Sequence, residues 1–251
     1  GDAIRSGDPD TAAIHYTKGA RAHLLLGNSE QALAFLTQAL QLDLSQAVER
    51  DVHRLLAEIL LEQDLIASAA SHLFQAGVLS SQIGHLDDAA ALLTDSIALG
   101  LAGENKARAH EILAEIYESL GQLDAAEEQR QLSPGAYLTL VGDAIRSGDP
   151  DTAAIFYTKG ARAHLLLGNS EQASAFLTQA LQLDLVPVLE REAHRLLAEI
   201  LLEQGWVASA TIHLFQAGVL SFQIGHLDDA LALLTDSVTL GLADENKTRA
   251  H

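Results

Sequence analysis

The sequence predicts an all-α fold, a solenoid of antiparallel helix hairpins, and three observations lead there. Leu and Ala dominate a chain of 251 residues that is 48% hydrophobic, only 4% aromatic and holds four prolines. Such a composition favours helix nearly everywhere and gives sheets little to pack. Second, a Gly or Asp at a turn is followed five residues later by Ala, as in Gly27 with Ala32, Asp64 with Ala69, Gly84 with Ala89 and Gly121 with Ala126. Third, Gly1 to His110 returns at Gly142 to His251 with an offset of 141, and 19 of those 110 positions differ. Self-similarity at a fixed period is the mark of a repeat architecture.

The turn spacing has a direct physical reading. Gly relieves the left-handed backbone of a helix C-terminus, and a small residue one turn into the next helix lets two backbones approach closely. Start signals agree: Asp8-Pro9, Ser133-Pro134 and Asp149-Pro150 each put a capping side chain before a proline suited to the first helical position, and Asn28 with Gln31 resembles a capping box. Between these marks the predicted helices cover 9–26, 29–42, 46–62, 66–82, 86–98, 104–119, 123–132 and 134–147. The segment 104–119 shows the amphipathic stripe most plainly, with His110, Leu113, Ala114 and Tyr117 at helical spacing beside Glu111, Glu115 and Glu118. On this reading 1–251 is one solenoid, 1–141 a first duplicated unit and 142–251 a second, shorter one.

Charge and residue usage exclude several function classes. A formal charge of −19 repels phosphate backbones and anionic lipid surfaces, so neither nucleic acid nor a membrane is an expected partner. No apolar run approaches the roughly 20 residues that span a bilayer. The absence of cysteine removes disulfides and thiolate chemistry, and leaves the compartment open. No methionine occurs, at position 1 or elsewhere, as expected of a processed or excised piece. There is no GxSxG and no phosphate-cradling Gly loop, and no strand to carry either, so catalysis and cofactors are not expected.

The stretch from Ala109 to Tyr117, continued by Gly121 to Ala126, resembles a tetratricopeptide repeat, and Gly27 to Asp43 resembles the second half of one. The likeness implies a right-handed superhelical α-solenoid whose concave surface holds a peptide or partner segment. In that family the first helix of each repeat lines the concave face, which implies a row of Arg108, Glu111, Glu115 and Glu118. Turn marks 20 residues apart, Gly7 to Gly27 and Asp64 to Gly84, support a second register, whose row is Asp51, Arg54, Glu58 and Glu62, repeated as Glu192, Arg195, Glu199 and Glu203. Neither row carries the Lys and Asn of a carboxylate clamp. Both are acidic with one Arg, which suits a basic or amphipathic partner, and both also read as solvated helix faces.

Other candidates have plainer readings. Phe74 and Val78, with Ile212, Phe215, Val219 and Phe222, share one helical face and are expected to pack in the core. Trp206 is expected to fill a gap at its turn. The histidines show no HxxxH or HxH spacing, so His23, His53 and His110 are read as packing residues rather than metal ligands. Asp87 and Asp88 are read as first-turn acids that complement a helix dipole. The expected function is a non-catalytic protein-binding scaffold. The alternative is a self-assembling array that forms a homo-oligomer through its ends, or an engineered repeat, with no specific peptide ligand.

Overall fold

A computed structural model describes residues 8–249, with side chains described for 8–241. Among the described residues every regular element is an α-helix, and no strand forms. The chain divides into two compact units, residues 1–129 and 130–251.

Unit 1 holds α1 (Pro9–Leu25), α2 (Ser29–Ala39), α3 (Gln46–Glu62), α4 (Ile66–Gln82), α5 (Leu86–Ala98), α6 (Gly103–Ser119) and the start of α7 (Leu123–Ser147). Packing recorded within the unit joins only helices one or two apart in chain order: α1 with α2 and α3, α2 with α3, α3 with α4, α4 with α5 and α6, and α5 with α6. This is the connectivity of stacked hairpins. The turns close as the glycine spacing predicts. At the first, Asn28 N donates to His23 O at 2.8 Å and Gly27 N to Leu24 O at 2.9 Å, with Gly27 at φ +73°. This six-to-one and five-to-two pair satisfies carbonyls that the helix end would otherwise leave bare. Asp64, at φ +60°, closes the α3 turn in the same way, the one non-glycine at positive φ among the described residues.

Two cores follow from the seams. Ala13, Ala20, Ala32, Leu36, Ala39, Val52, Leu56 and Ile59 join α1, α2 and α3. Ala70, Phe74, Ala89, Leu93, Ala109, Leu113 and Ile116 join α4, α5 and α6. Small residues set the helix spacing: a Cβ on Gly77 would lie 2.7 Å from Leu93 Cγ and 3.3 Å from the Leu93 backbone nitrogen. Each fully buried Leu or Phe in these seams contributes about 2 kcal/mol of transfer free energy.

Unit 2 holds the remainder of α7, then α8 (Pro150–Leu166), α9 (Ser170–Ala180), α10 (Pro187–Glu203), α11 (Val207–Gln223) and α12 (Leu227–Arg249). Its packing repeats the scheme, with α8 against α9 and α10, α9 against α10, α10 against α11, and α11 against α12. One core gathers Ala161, Ala173, Leu177, Ala193, Leu197 and Ile200, and a smaller one gathers Val141, Ala154, Tyr157 and Ala180. Gly218 meets Leu234 as Gly77 meets Leu93, with 2.7 Å left for a Cβ.

Two elements depart from the sequence expectation. The predicted helices 123–132 and 134–147 are one helix, α7, with Pro134 inside it, so residues 9–147 hold seven helices instead of eight. An interior proline removes a backbone donor and costs about 3 kcal/mol. Burial of Tyr137 and Val141, one turn apart on α7, offsets that cost. The second departure is α12, which continues past the point where α5 stops at Ala98. In unit 1 the chain leaves the helix through Gly100 at φ +89° and Gly103 at φ +65°. Position 244 carries Asp where 103 carries Gly, and a side chain disfavours that left-handed step. The capping box at Asn28 is also absent: α2 begins there without a side-chain hydrogen bond.

Candidate functional site

Helix α3 buries Val52, His53, Leu55, Leu56, Ala57, Ile59 and Leu60, so the strip left outward is Asp51, Arg54, Glu58 and Glu62. Packing of α1 against α3 brings Arg21 to this strip, and Arg21, Asp51, Arg54, Leu55 and Glu58 line a cleft of about 240 Å³. Arg54 Nη1 donates to Asp88 Oδ1 at 2.9 Å, and Ser80 Oγ donates to the other oxygen of Asp88 at 2.7 Å. Asp88 thus ties the first turn of α5 to α3 and α4, a role beyond the dipole pairing expected of it. Arg50 bonds Asp51 at 2.7 Å and His85 at 2.8 Å.

The corresponding strip in unit 2 is more fully self-paired. Arg162 on α8 donates to Glu192 at 2.7 Å, and Arg195 bridges Glu192 at 3.1 Å and Glu199 at 2.8 Å. The hydrogen bond from Arg195 holds the Glu192 carboxyl below the usual range against burial that would raise it, with the Arg195 and Arg162 charges adding. The same hydrogen bond raises the Arg195 guanidinium. Glu58, Glu62 and Glu203 stand exposed with no ion-pair partner among the described residues. Each face is therefore an alternation of cations and carboxylates edged by open carboxylates. Ion pairs at this exposure are worth about 0–1 kcal/mol each, so they add little to stability.

The other row lies elsewhere in unit 1. Arg108 is exposed on α6 with its guanidinium 5.8 Å from the Phe74 ring centre, Glu111 is half-buried, and Glu115 and Glu118 are exposed. No recorded packing joins α6 to α3. Sequence reasoning missed Arg21, Arg162 and Asp88. Arg21 and Arg162 reach their strips through packing of α1 on α3 and of α8 on α10, and Asp88 through its place in the first turn of α5.

The histidines form pairs. His53 and His72 approach Nδ1 to Nδ1 at 2.8 Å across α3 and α4, and His194 and His213 do the same at 2.8 Å across α10 and α11. One nitrogen of such a pair must donate and the other accept, so the contact requires at least one neutral ring. Burial, and then the partner ring's charge, push His53 and His194 down to about 4. Among the described residues no three His, Asp or Glu side chains are grouped to hold a metal ion.

The apolar stripe divides between the units. Phe74 is buried at 1% exposure, as expected, whereas Phe215 is 50%, Ile212 61% and Phe222 66% exposed. The expectation of core packing fails for these three: among the described residues no helix of unit 2 packs over Phe215 as α6 packs over Phe74, and Ser71, which stands where Ile212 does, is exposed in unit 1 as well. Trp206 is likewise 64% exposed and fills no gap. No helix among the described residues is long and apolar enough to cross a membrane.

Comparison with known proteins gives the repeat type. One Tetratricopeptide repeat family model matches residues 76–136, and a second matches 12–46 and 153–186. No curated protein matches the chain. Similar solved structures include BtubC from P. vanneervenii, 14% identical over 81% of this chain and 93% of that one, at a TM-score of 0.47. A thermophilic TPR protein of Thermus thermophilus is 18% identical over 90% of this chain and 100% of its own, at 0.40. MamA from Desulfovibrio magneticus RS-1 is 15% identical over 84% and 96%, at 0.41.

Proposed function

We propose that this chain of tetratricopeptide repeats is a non-catalytic scaffold that holds a basic or amphipathic segment of a partner protein along its alternating-charge faces. We read the recurrence of 1–110 at 142–251 as a tandem duplication of a 141-residue unit, which would present the face twice. The observation that carries the reading is the cleft of Arg21, Asp51, Arg54, Leu55 and Glu58, edged by the open carboxylates Glu58 and Glu62. Its counterpart around Arg162, Glu192, Arg195 and Glu199, with Glu203 open beside it, keeps the same charge order. Ordered cations and carboxylates fix the register of a bound segment, and the surplus negative charge selects a basic one. The row Arg108, Glu111, Glu115 and Glu118 is the second face, reserved for a partner that contacts α6.

The test is a titration of a labelled amphipathic Lys/Leu helix peptide against the protein and against a variant carrying Glu58→Lys, Glu62→Lys, Glu199→Lys and Glu203→Lys. Affinity is expected to fall at least about tenfold in the variant, a loss of about 1.4 kcal/mol. Unchanged binding would remove the charged faces from the account. Self-assembly is the second reading, favoured by the exposed Phe222 and Leu231. Light scattering across a concentration series decides it, growth in mass supporting assembly and a constant monomer mass removing it.

A further inference from the structure

Unit 2 holds, in its own side chains, a template for what the cleft of unit 1 lacks. Glu192 on α10 sets one carboxylate oxygen between two guanidiniums, 2.7 Å from Arg162 Nη2 and 3.1 Å from Arg195 Nη2, and Arg195 Nε reaches its other oxygen at 3.3 Å. The two arginines come from different helices, α8 and α10, so the carboxylate is gripped from both sides of their seam. Charge-assisted bonds of this forked kind are among the strongest that side chains make. Glu199 takes the remaining arm of Arg195 at 2.8 Å.

Unit 1 keeps both arginines, as Arg21 and Arg54, but not the carboxylate between them. Position 51 is Asp where 192 is Glu, one methylene shorter, and its carboxylate is held by Arg50 at 2.7 and 2.9 Å. Arg21 is exposed with no hydrogen-bond or ion-pair partner among the described residues, and Arg54 gives Nη1 to Asp88 at 2.9 Å. Glu58, the counterpart of Glu199, has no arginine within ion-pair reach. Arg21, Arg54 and Glu58 nevertheless line one cleft of about 240 Å³. An unpaired guanidinium and an unpaired carboxylate on one cleft suit a ligand that carries both signs. Arg54 and Glu58 stand four residues apart on α3, about 6 Å along its axis. That is also the separation of two side chains one turn apart on a helical ligand.

From this contrast we propose that the unit 1 cleft recognises a Glu and a Lys one helical turn apart on the partner segment. The Glu carboxylate sits between Arg21 and Arg54 as Glu192 sits between Arg162 and Arg195, and the Lys ammonium pairs with Glu58. The inference rests on the reading of the charged faces as the holder of a basic segment, and adds one acidic side chain to what that segment carries. Unit 2 supplies this carboxylate from its own chain and does not select for it. The single difference between Asp51 and Glu192 thus gives two faces of like charge order different sequence preferences.

The probes are three fluorescein-labelled Lys/Leu helix peptides, all amidated at the C-terminus and titrated by anisotropy with the whole chain. The first has a single central Glu with a Lys four residues away on each side, the second has Gln for that Glu, and the third has Gln for both of those lysines. The chain is expected to bind the first at least about threefold more tightly than either of the others, although the Glu lowers the positive charge offered to an acidic protein. Arg21→Gln and Asp51→Glu, both at exposed positions, are expected to bring the first and second peptides level, and Glu58→Gln to bring the first and third level, with far-UV circular dichroism unchanged. Equal affinity of the parent for the first two peptides, or a preference that Arg21→Gln and Asp51→Glu leave intact, would overturn the proposal while leaving the charged-face reading in place. Absence of binding by all three would remove both. A second peptide that regains the lost affinity when its C-terminus is left free would overturn it in favour of a chain-terminal carboxylate.

Discussion

Two glycines in helix interiors separate close packing from mere helix preference. Gly77 on α4 and Gly135 on α7 both weaken their helices, and an alanine at either restores about 0.5–1 kcal/mol of intrinsic stability. At Gly135 nothing lies within 4 Å of the added Cβ, so Gly135→Ala is expected to raise stability by that amount. At Gly77 the new carbon would meet Leu93 Cγ at 2.7 Å, Cδ2 at 2.9 Å and the Leu93 backbone nitrogen at 3.3 Å. Cγ is held by the chain and Leu93 is fully buried, so α4 and α5 must separate. Overpacking of this kind costs about 1–3 kcal/mol, which leaves a net loss of about 0–2.5 kcal/mol after the helix gain. Thermal and urea unfolding followed by circular dichroism are the assay, with shifts of about 2–4 °C per kcal/mol for a chain of this size. A Gly77→Ala protein as stable as Gly135→Ala would refute the claim that small residues set the helix spacing.

The turn after α3 offers a matched exchange: Asp64→Gly is expected to stabilise by about 0.5–1 kcal/mol and Gly205→Asp to destabilise by a like amount, since both positions hold positive φ. Urea midpoints check it, and shifts of the same sign at the two sites would contradict it. Asp149 accepts a hydrogen bond from Thr152 N at 3.0 Å at the start of α8, so Asp149→Ala is expected to lower the urea midpoint in the same assay. His53 and His194 titrate near 4 in the folded protein against about 6.5 in an unfolded chain, so the unfolded state takes up protons first. Their contribution is whole above about pH 6.5 and is lost as pH falls toward 4. A pH series of urea midpoints is expected to show that decline and to flatten in the His53→Gln, His194→Gln protein.

Much of the fold was legible because its punctuation is local. A glycine at positive φ and an alanine five residues on are short-range requirements, so α3, α4 and α5 begin and end where the residues say they do. Pro134 misled because a local stop signal lost to burial of Tyr137 and Val141, which no local pattern reveals. The candidate site was legible only in part. Helical spacing identifies Asp51, Arg54, Glu58 and Glu62 as one strip, but Arg21 joins them through packing between helices, and Asp88 through a turn more than 30 residues away. The exposure of Phe215, Ile212 and Phe222 was hidden for the same reason: a stripe tells which residues share a face, and only the neighbouring helix decides whether that face is covered.

The central claim is that the charge order of the α3 and α10 faces selects the partner. Anisotropy titrations of two helix peptides identical except for Lys or Glu at every charged position, against the parent and the fourfold Glu-to-Lys protein, test it most directly. The parent is expected to prefer the Lys peptide at least about tenfold, with the preference shrinking as salt rises, and the reversed protein is expected to prefer the Glu peptide. Equal affinity of the parent for both peptides, or the same preference in both proteins, would contradict it.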